Sequence, residues 1–169
     1  MRRGELVPDT TVWAMVRERS SCLHCRGGFI LDGFPRTVVQ AESLKKMMDE
    51  EKLALTAVVS YDLPPSEIIE RLSGRRTCGN CRAVYHVTER PPKVAGKCDL
   101  CHADLLQRED DRPEAIRVRL ETYERSTAPL IDFYQKLGLL VRVIATGSPE
   151  EIYLRTLSAL SLRAIRSLA

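Results

Sequence analysis

Long apolar runs are missing from this chain. None of about 18 residues occurs, which excludes a membrane-spanning helix. Residues Met1 to Asp9 carry two positive charges with no apolar stretch behind them. No secretory signal is read there, and a cytoplasmic location is expected. Aromatic residues are scarce at 5%, and neither charge sign dominates: 26 basic side chains stand against 23 acidic ones, interspersed. Basic blocks with interleaved aromatics, the mark of a nucleic-acid surface, are therefore absent. Internal repeats, low-complexity tracts and a Ser-His-Asp set are also lacking. What remains is 169 residues, 44% hydrophobic and 29% charged. That composition fits one globular domain, or one domain with a small insert, large enough to bury a sizeable core.

Cysteine is the residue type in notable supply. Of six, four form Cys78-Gly-Asn-Cys81 and Cys98-Asp-Leu-Cys101. Two Cys-x-x-Cys knuckles at this separation match a tetrahedral four-thiolate zinc site. Iron in the same site, and plain thiols or disulfides, are the alternatives. With all four positions taken by sulfur no place is left for water, so the site is expected to be structural. His86 and His102 lie nearby and read as ordinary exposed histidines. Cys22 and Cys25 have no partner pair and read as small residues near a helix end.

Along the chain, residues 9–19 read as a helix with Asp9 as N-cap. Gly28 to Asp32 is an apolar run broken by Gly33-Phe34-Pro35, expected as a buried strand ending in a loop. Val38, Ala41, Leu44, Met47 and Met48 share one helical face. Ala57 to Asp62 reads as a second buried strand, and Ser66 to Leu72 as a helix stopped near Gly74. Residues 75–112 combine the four cysteines with Pro91, Pro92 and short alternating runs. This reads as a small β-rich insert in which a metal replaces a core. Pro113 opens a long helix running to Lys136, and Pro129 within it should kink or split it. Leu139 to Ile144 is the third strand. Ser148-Pro-Glu-Glu151 is a capping box at the head of the last helix. Strands alternating with helices make the class α/β, with parallel pairing and helices on both faces.

Asp32-Gly33-Phe34-Pro35-Arg36 falls at the carboxyl end of an expected strand, where open α/β sheets bind ligands. Arginine is over-supplied near loops and helix ends: Arg36, Arg71, Arg75, Arg76, Arg108, Arg117 and Arg119. Arg71 and Arg75, spaced i, i+4, are expected on one helical face, whereas Arg117 and Arg119 cannot share one. Forked guanidinium groups suit phosphate oxygens, and phosphoryl transfer needs positioning and cation clusters above all.

These residues resemble a known family. Gly28-Phe-Ile-Leu-Asp-Gly-Phe-Pro-Arg-Thr37 followed by Gln40 is similar to the adenylate kinase signature. Gly74-Arg-Arg76, the four-cysteine insert, Val84-Tyr85-His86, Pro91-Pro92-Lys93, Arg108-Glu-Asp-Asp111 and Thr127-Ala-Pro-Leu130 resemble it too, in order, from Met1 to about Leu160. The resemblance implies a doubly wound parallel sheet of the P-loop nucleoside monophosphate kinase type. Its domains would be a core over 1–74 and 113–169, holding a remnant of the AMP-binding region, and a zinc-binding lid over 75–112. It implies the reaction of ATP and AMP to two ADP in purine nucleotide homeostasis, with Mg2+ accompanying ATP and Zn2+ in the lid. If complete, the protein would act as a monomer, with no nucleic-acid or membrane partner.

Carried over by position, Glu5, Leu6 and Val7 would line the AMP base. Gly33, Phe34, Pro35, Arg36 and Gln40 would hold AMP, with Arg36 on its phosphate. Arg71 and Arg75 would reach the ATP phosphates, and Val84 and Tyr85 its nucleoside. Arg108 and Arg119 would clamp the transferred group and the AMP side. Asp32 would orient water on magnesium, and Ser148 would lie near the adenine. Cys78, Cys81, Cys98 and Cys101 would ligate the zinc, and hinges near Gly74 and Asp111 would let the lid move.

The family's Gly-rich phosphate loop with its lysine is absent from these residues. The expectation is a member truncated at its N-terminus, by biology or by a misassigned start codon. It would lack the first strand–loop–helix unit, on the order of 30 residues or more. Such a chain would expose unpaired apolar strand edges, be poorly stable alone and have little kinase activity. Other readings are a different nucleoside monophosphate kinase, an inactive nucleotide-binding remnant and a zinc-stabilised binding module.

Overall fold

The computed structural model describes residues 9–20 and 29–166. Its elements, in order, are α1 (Asp9–Ser20), α2 (Val38–Glu50), β1 (Val58–Asp62), α3 (Pro65–Gly74), β2 (Arg75–Cys78), β3 (Val84–His86) and β4 (Leu105–Leu106). After a 3-10 turn at Glu109–Asp111 come α4 (Pro113–Thr122), a π-helical turn (Tyr123–Thr127), α5 (Pro129–Lys136), β5 (Leu140–Ile144) and α6 (Pro149–Arg166). The chain is mixed α/β with a parallel sheet. No helix among the described residues is long and apolar enough to cross a membrane. Two compact units form, one over Leu63–Glu121 and the other from residues up to Asp62 and from Thr122 onward.

In the second of these units β1 and β5 pair in parallel, from Val58 opposite Leu140 to Asp62 opposite Ile144. α2 supplies the core beneath them. Its apolar residues recur at helical spacing, so Ala41 packs with Leu130 and Tyr134 of α5. Leu44, Met47 and Met48 form a second cluster with Trp13, Phe29, Leu31 and Phe34. Burial of one such side chain contributes about 1.5–3 kcal/mol. The long helix expected over 113–136 is split, as Pro129 requires: it lacks the N–H that a continuing helix needs, and the backbone widens into the π turn just before it.

α2 starts where its sequence says it should. The Gln40 amide N–H donates to Thr37 Oγ1 at 3.2 Å, while the Gln40 side chain accepts the Arg36 N–H at 2.7 Å. This is a capping box displaced by one residue. Thr37→Ala is expected to cost about 1 kcal/mol, read as a lower urea midpoint at unchanged slope. The box at Ser148 is reciprocal: Ser148 N–H donates to Glu151 Oε2 at 2.8 Å, and Glu151 N–H to Ser148 Oγ at 3.2 Å.

Two strand expectations need correction. Residues 29–32 form no strand. Phe29 and Leu31 turn toward the α2 cluster, but Ile30 between them is 93% exposed. The segment alternates as an extended chain does, yet has no hydrogen-bonded neighbour among the described residues to make it a strand. β1 is half-buried rather than buried, with Tyr61 exposed, because β5 is its only partner among the described residues.

The unit over Leu63–Glu121 has a small antiparallel sheet in the order β3-β2-β4. Its buried cluster is Cys78, Tyr85 and Cys98, walled by Ala83, Cys101, Ala103 and Leu105.

Candidate functional site

The two knuckles fold alike because their sequences are alike: Cys78-x-x-Cys81-x-Ala83 and Cys98-x-x-Cys101-x-Ala103. In each, the first cysteine's N–H donates to the alanine carbonyl at 2.9 Å, and its own carbonyl accepts the N–H of the residue after the second cysteine. That residue, Arg82 or His102, turns the chain back with φ near +60°. The turn aims both sulfurs of a knuckle to one side. All four Sγ atoms lie within 4.8 Å of one another, with Cys78 and Cys101 3.4 Å apart and Cys81 and Cys98 3.5 Å apart. These distances are far beyond a disulfide bond.

Burial opposes a Cys98 thiolate, but hydrogen bonds from Tyr85 and from the Leu100 and Cys101 backbone outweigh it and bring its thiol down to about 6. A backbone hydrogen bond from Ala83 favours a Cys81 thiolate. Even so, proton sharing with Cys98, burial and the other two sulfurs push Cys81 up to about 12. Four crowded sulfurs hold protons between them that a divalent cation would displace. The donor set fits a tetrahedral metal.

His86 is not exposed, contrary to the sequence expectation. It is 8% accessible, and its ring lies against Gly74, where a Cβ would collide with it. His102 is exposed as expected. Tyr85 is buried too, its Oη accepting the Asp99 N–H at 2.9 Å and lying 3.5 Å from Cys98 Sγ. The Tyr85 ring therefore belongs to the four-cysteine cluster, and Val84 is the exposed member of the pair.

The same unit gathers arginines on two aspartates. Asp111 is fully buried and receives Arg75 Nε at 2.8 Å and Arg75 Nη2 at 2.6 Å. Arg108 forks onto Asp110 at 2.8 and 2.7 Å. Arg119 approaches both carboxylates, at 3.7 and 3.8 Å. Burial of Asp110 works against its charge, but the Arg108 hydrogen bonds and the charges of Arg108 and Arg119 win and hold its carboxyl below the ordinary range. Within the acidic run 109–111, Asp110 and Asp111 are the frame that collects Arg75, Arg108 and Arg119. From sequence Asp111 was expected only as a hinge and Asp110 only within the Arg108–Asp111 motif; two acids beside an arginine excess were the available signal for this role.

Arg71 stands apart, 3.9 Å from Glu67 on α3. Arg71 and Arg75 do not share a helical face. α3 stops at Gly74, and Arg75 is already extended, with φ −66° and ψ 137°. Arg117 is exposed against Glu121, while Arg119 turns inward.

In the other unit, Gly33 (φ +67°) turns the chain so that Arg36 Nε donates to the Gly33 carbonyl at 2.7 Å. A Cβ at Gly33 would stand 2.9 Å from Arg36 Nη2. The Phe34–Pro35 peptide is cis, and Phe34 stacks on Trp13 at 6.2 Å. Thr127 Oγ1 donates to the Arg36 carbonyl at 2.8 Å, and Gln40 is buried beneath the loop. Thus 33–36 and Gln40 come together as one loop with an exposed guanidinium, and Asp32 is exposed beside it. The Ser148 carbonyl accepts the Ile152 N–H of α6. Glu5, Leu6, Val7, Cys22 and Cys25 lie outside the described residues.

A family model described as adenylate kinase matches residues 1–139. The adenylate kinase of Thermodesulfovibrio yellowstonii is 52% identical over 153 residues, covering 90% of this chain and 71% of that protein. Those of Carboxydothermus hydrogenoformans and Archaeoglobus fulgidus are 51% and 46% identical, covering 95% and 90% of this chain and 75% and 70% of their own lengths.

Proposed function

The chain belongs to the adenylate kinase family, and from that premise we propose that it transfers a phosphoryl group reversibly between ATP and AMP, giving two ADP. The observation that carries the reading is the gathering of Arg75, Arg108 and Arg119 on Asp110 and Asp111. Such transfer asks for fixed cations more than for a nucleophile or base. Carboxylates that hold guanidinium planes in place spare the reorganisation that free arginines would need.

The roles follow from what each side chain has to offer. Arg36 presents its exposed guanidinium to the AMP phosphate, while Gly33, Phe34, Pro35 and Gln40 shape the AMP loop. Glu5, Leu6 and Val7 line the AMP base. Arg75 spends Nε and Nη2 on Asp111, and its Nη1 turns to the ATP phosphates together with Arg71. Arg108 and Arg119 neutralise the moving group. Val84 and the backbone of Tyr85 meet the ATP nucleoside, and the Ser148 segment meets the adenine. Asp32 orients water on Mg2+, which when bound spreads the phosphate charge. Zn2+ in the four-cysteine site holds the knuckles of a lid over 75–112, between core segments 1–74 and 113–169. A closing lid keeps water from the phosphoryl group. The protein works in the cytoplasm as a monomer on free nucleotides.

Coupled measurement of ADP formation tests this. Arg36→Ala is expected to lower kcat/KM for AMP about 10- to 100-fold, the equivalent of one hydrogen bond to a charged group, with a smaller change for ATP. An unchanged KM for AMP would remove Arg36 from the acceptor site.

A further inference from the structure

His86 is buried and fully engaged, yet phosphoryl transfer as assigned above makes no use of it. Its Nδ1 accepts from Thr88 N–H at 3.3 Å and Glu89 N–H at 3.1 Å, with Thr88 Oγ1 also at 3.1 Å. A nitrogen that accepts two backbone N–H groups carries no proton, so the ring proton is on Nε2. Nε2 lies 3.3 Å from the Glu70 carbonyl, to which it donates. The backbone reinforces the contact. His86 stands opposite Arg75 in the β2–β3 ladder, and the Val87 N–H donates to the Gly74 carbonyl at 3.0 Å. The ring fills the space that a Cβ on Gly74 would need.

One imidazole therefore grips both ends of the short stretch where helix α3 becomes strand β2. Arg71 follows Glu70, and Arg75 follows Gly74. Between them lies a glycine whose backbone has wide freedom once its neighbours loosen. We propose that His86 is a positioning residue that fixes the direction of Arg71 relative to Arg75, and so sets how well the pair grips the ATP phosphates. This rests on the reading of those two arginines as phosphate ligands. His86 touches no substrate. It acts through the arginines, for which displacement by about 1 Å costs up to 100-fold.

The test uses two conservative variants of the whole chain, both of which keep a polar amide in the buried site. His86→Asn retains an acceptor for the Thr88 and Glu89 N–H groups but is too short to reach the Glu70 carbonyl. His86→Gln reaches that carbonyl with its own N–H. Calorimetric titration with magnesium-ATP, and separately with AMP, is expected to show about tenfold weaker ATP binding for Asn and near-recovery for Gln. AMP affinity and metal content should stay unchanged in both. Equal ATP affinity in Asn and wild type overturns the proposal. So does a parallel fall in ATP and AMP affinity, or loss of the metal, either of which marks a general structural role. Arg71→Ala is the control. If it leaves ATP affinity unchanged, the phosphate reading fails and the proposal with it. If it weakens ATP binding while His86→Asn does not, the positioning role alone fails.

Discussion

Stripping the metal from the four-cysteine site, or replacing Cys98 with serine, is expected to unfold the small sheet entirely. The reason lies in what the sheet has to hold it. Its strands are four, three and two residues long, and two of the three residues in its buried cluster are cysteines of the candidate metal site. Without the ion only Tyr85 and a few small neighbours remain, far too little to offset the ordering of the knuckles. Structural zinc in comparable units supplies about 10–16 kcal/mol, which would here be the folding energy itself. Amide exchange of Val84, Tyr85 and His86 reads the effect directly: protection should vanish on chelation and return when zinc is restored. Unchanged protection in metal-free protein would show that the sulfur cluster is not what closes this sheet. Acid should release the ion as well, because four thiolates must take up protons.

Arg75→Met is expected to be the most damaging change among the arginines. It leaves the Asp111 carboxylate fully buried without its bidentate partner. Breaking a buried pair from one side costs about 3–5 kcal/mol. Arg75 is itself 26% exposed, and Arg119 still stands 3.8 Å away, so the lower end of that range applies. Arg75→Lys keeps the charge but not the fork and should fall between the two. The double variant Arg75→Met, Asp111→Leu should recover most of the loss, since both charges leave together. Urea denaturation of the three variants measures this. If the double variant is no better than Arg75→Met, the cost arises from packing and not from a stranded charge.

What could be read from sequence follows from how local each signal is. The knuckles, the α2 core face, the proline split at Pro129 and the Ser148 box are each written within a few residues, and each folds as read. The arginine supply was legible as well, but its organisation was not. Arg75 meets Asp111 across 36 positions, and nothing in a run of two aspartates says which guanidinium it will receive. His86 was misread for the same reason. Its burial depends on Gly74 offering a face without a side chain, a fact of three dimensions. The apolar run at 29–31 was expected to be buried throughout, yet only Phe29 and Leu31 turn inward and Ile30 is exposed. It could not show whether a neighbouring strand would be there to pair with it.

The parallel register of β1 against β5 also dictates an order of events during synthesis. Val58 cannot meet Leu140 until the ribosome has made everything between them, including the whole of the four-cysteine sheet. At about 5–20 residues per second that delay is roughly 4 to 16 s. During it β1 waits without β5, while the knuckles, whose contacts are all nearby in sequence, can already close. The small sheet is thus able to finish before the parallel pair does.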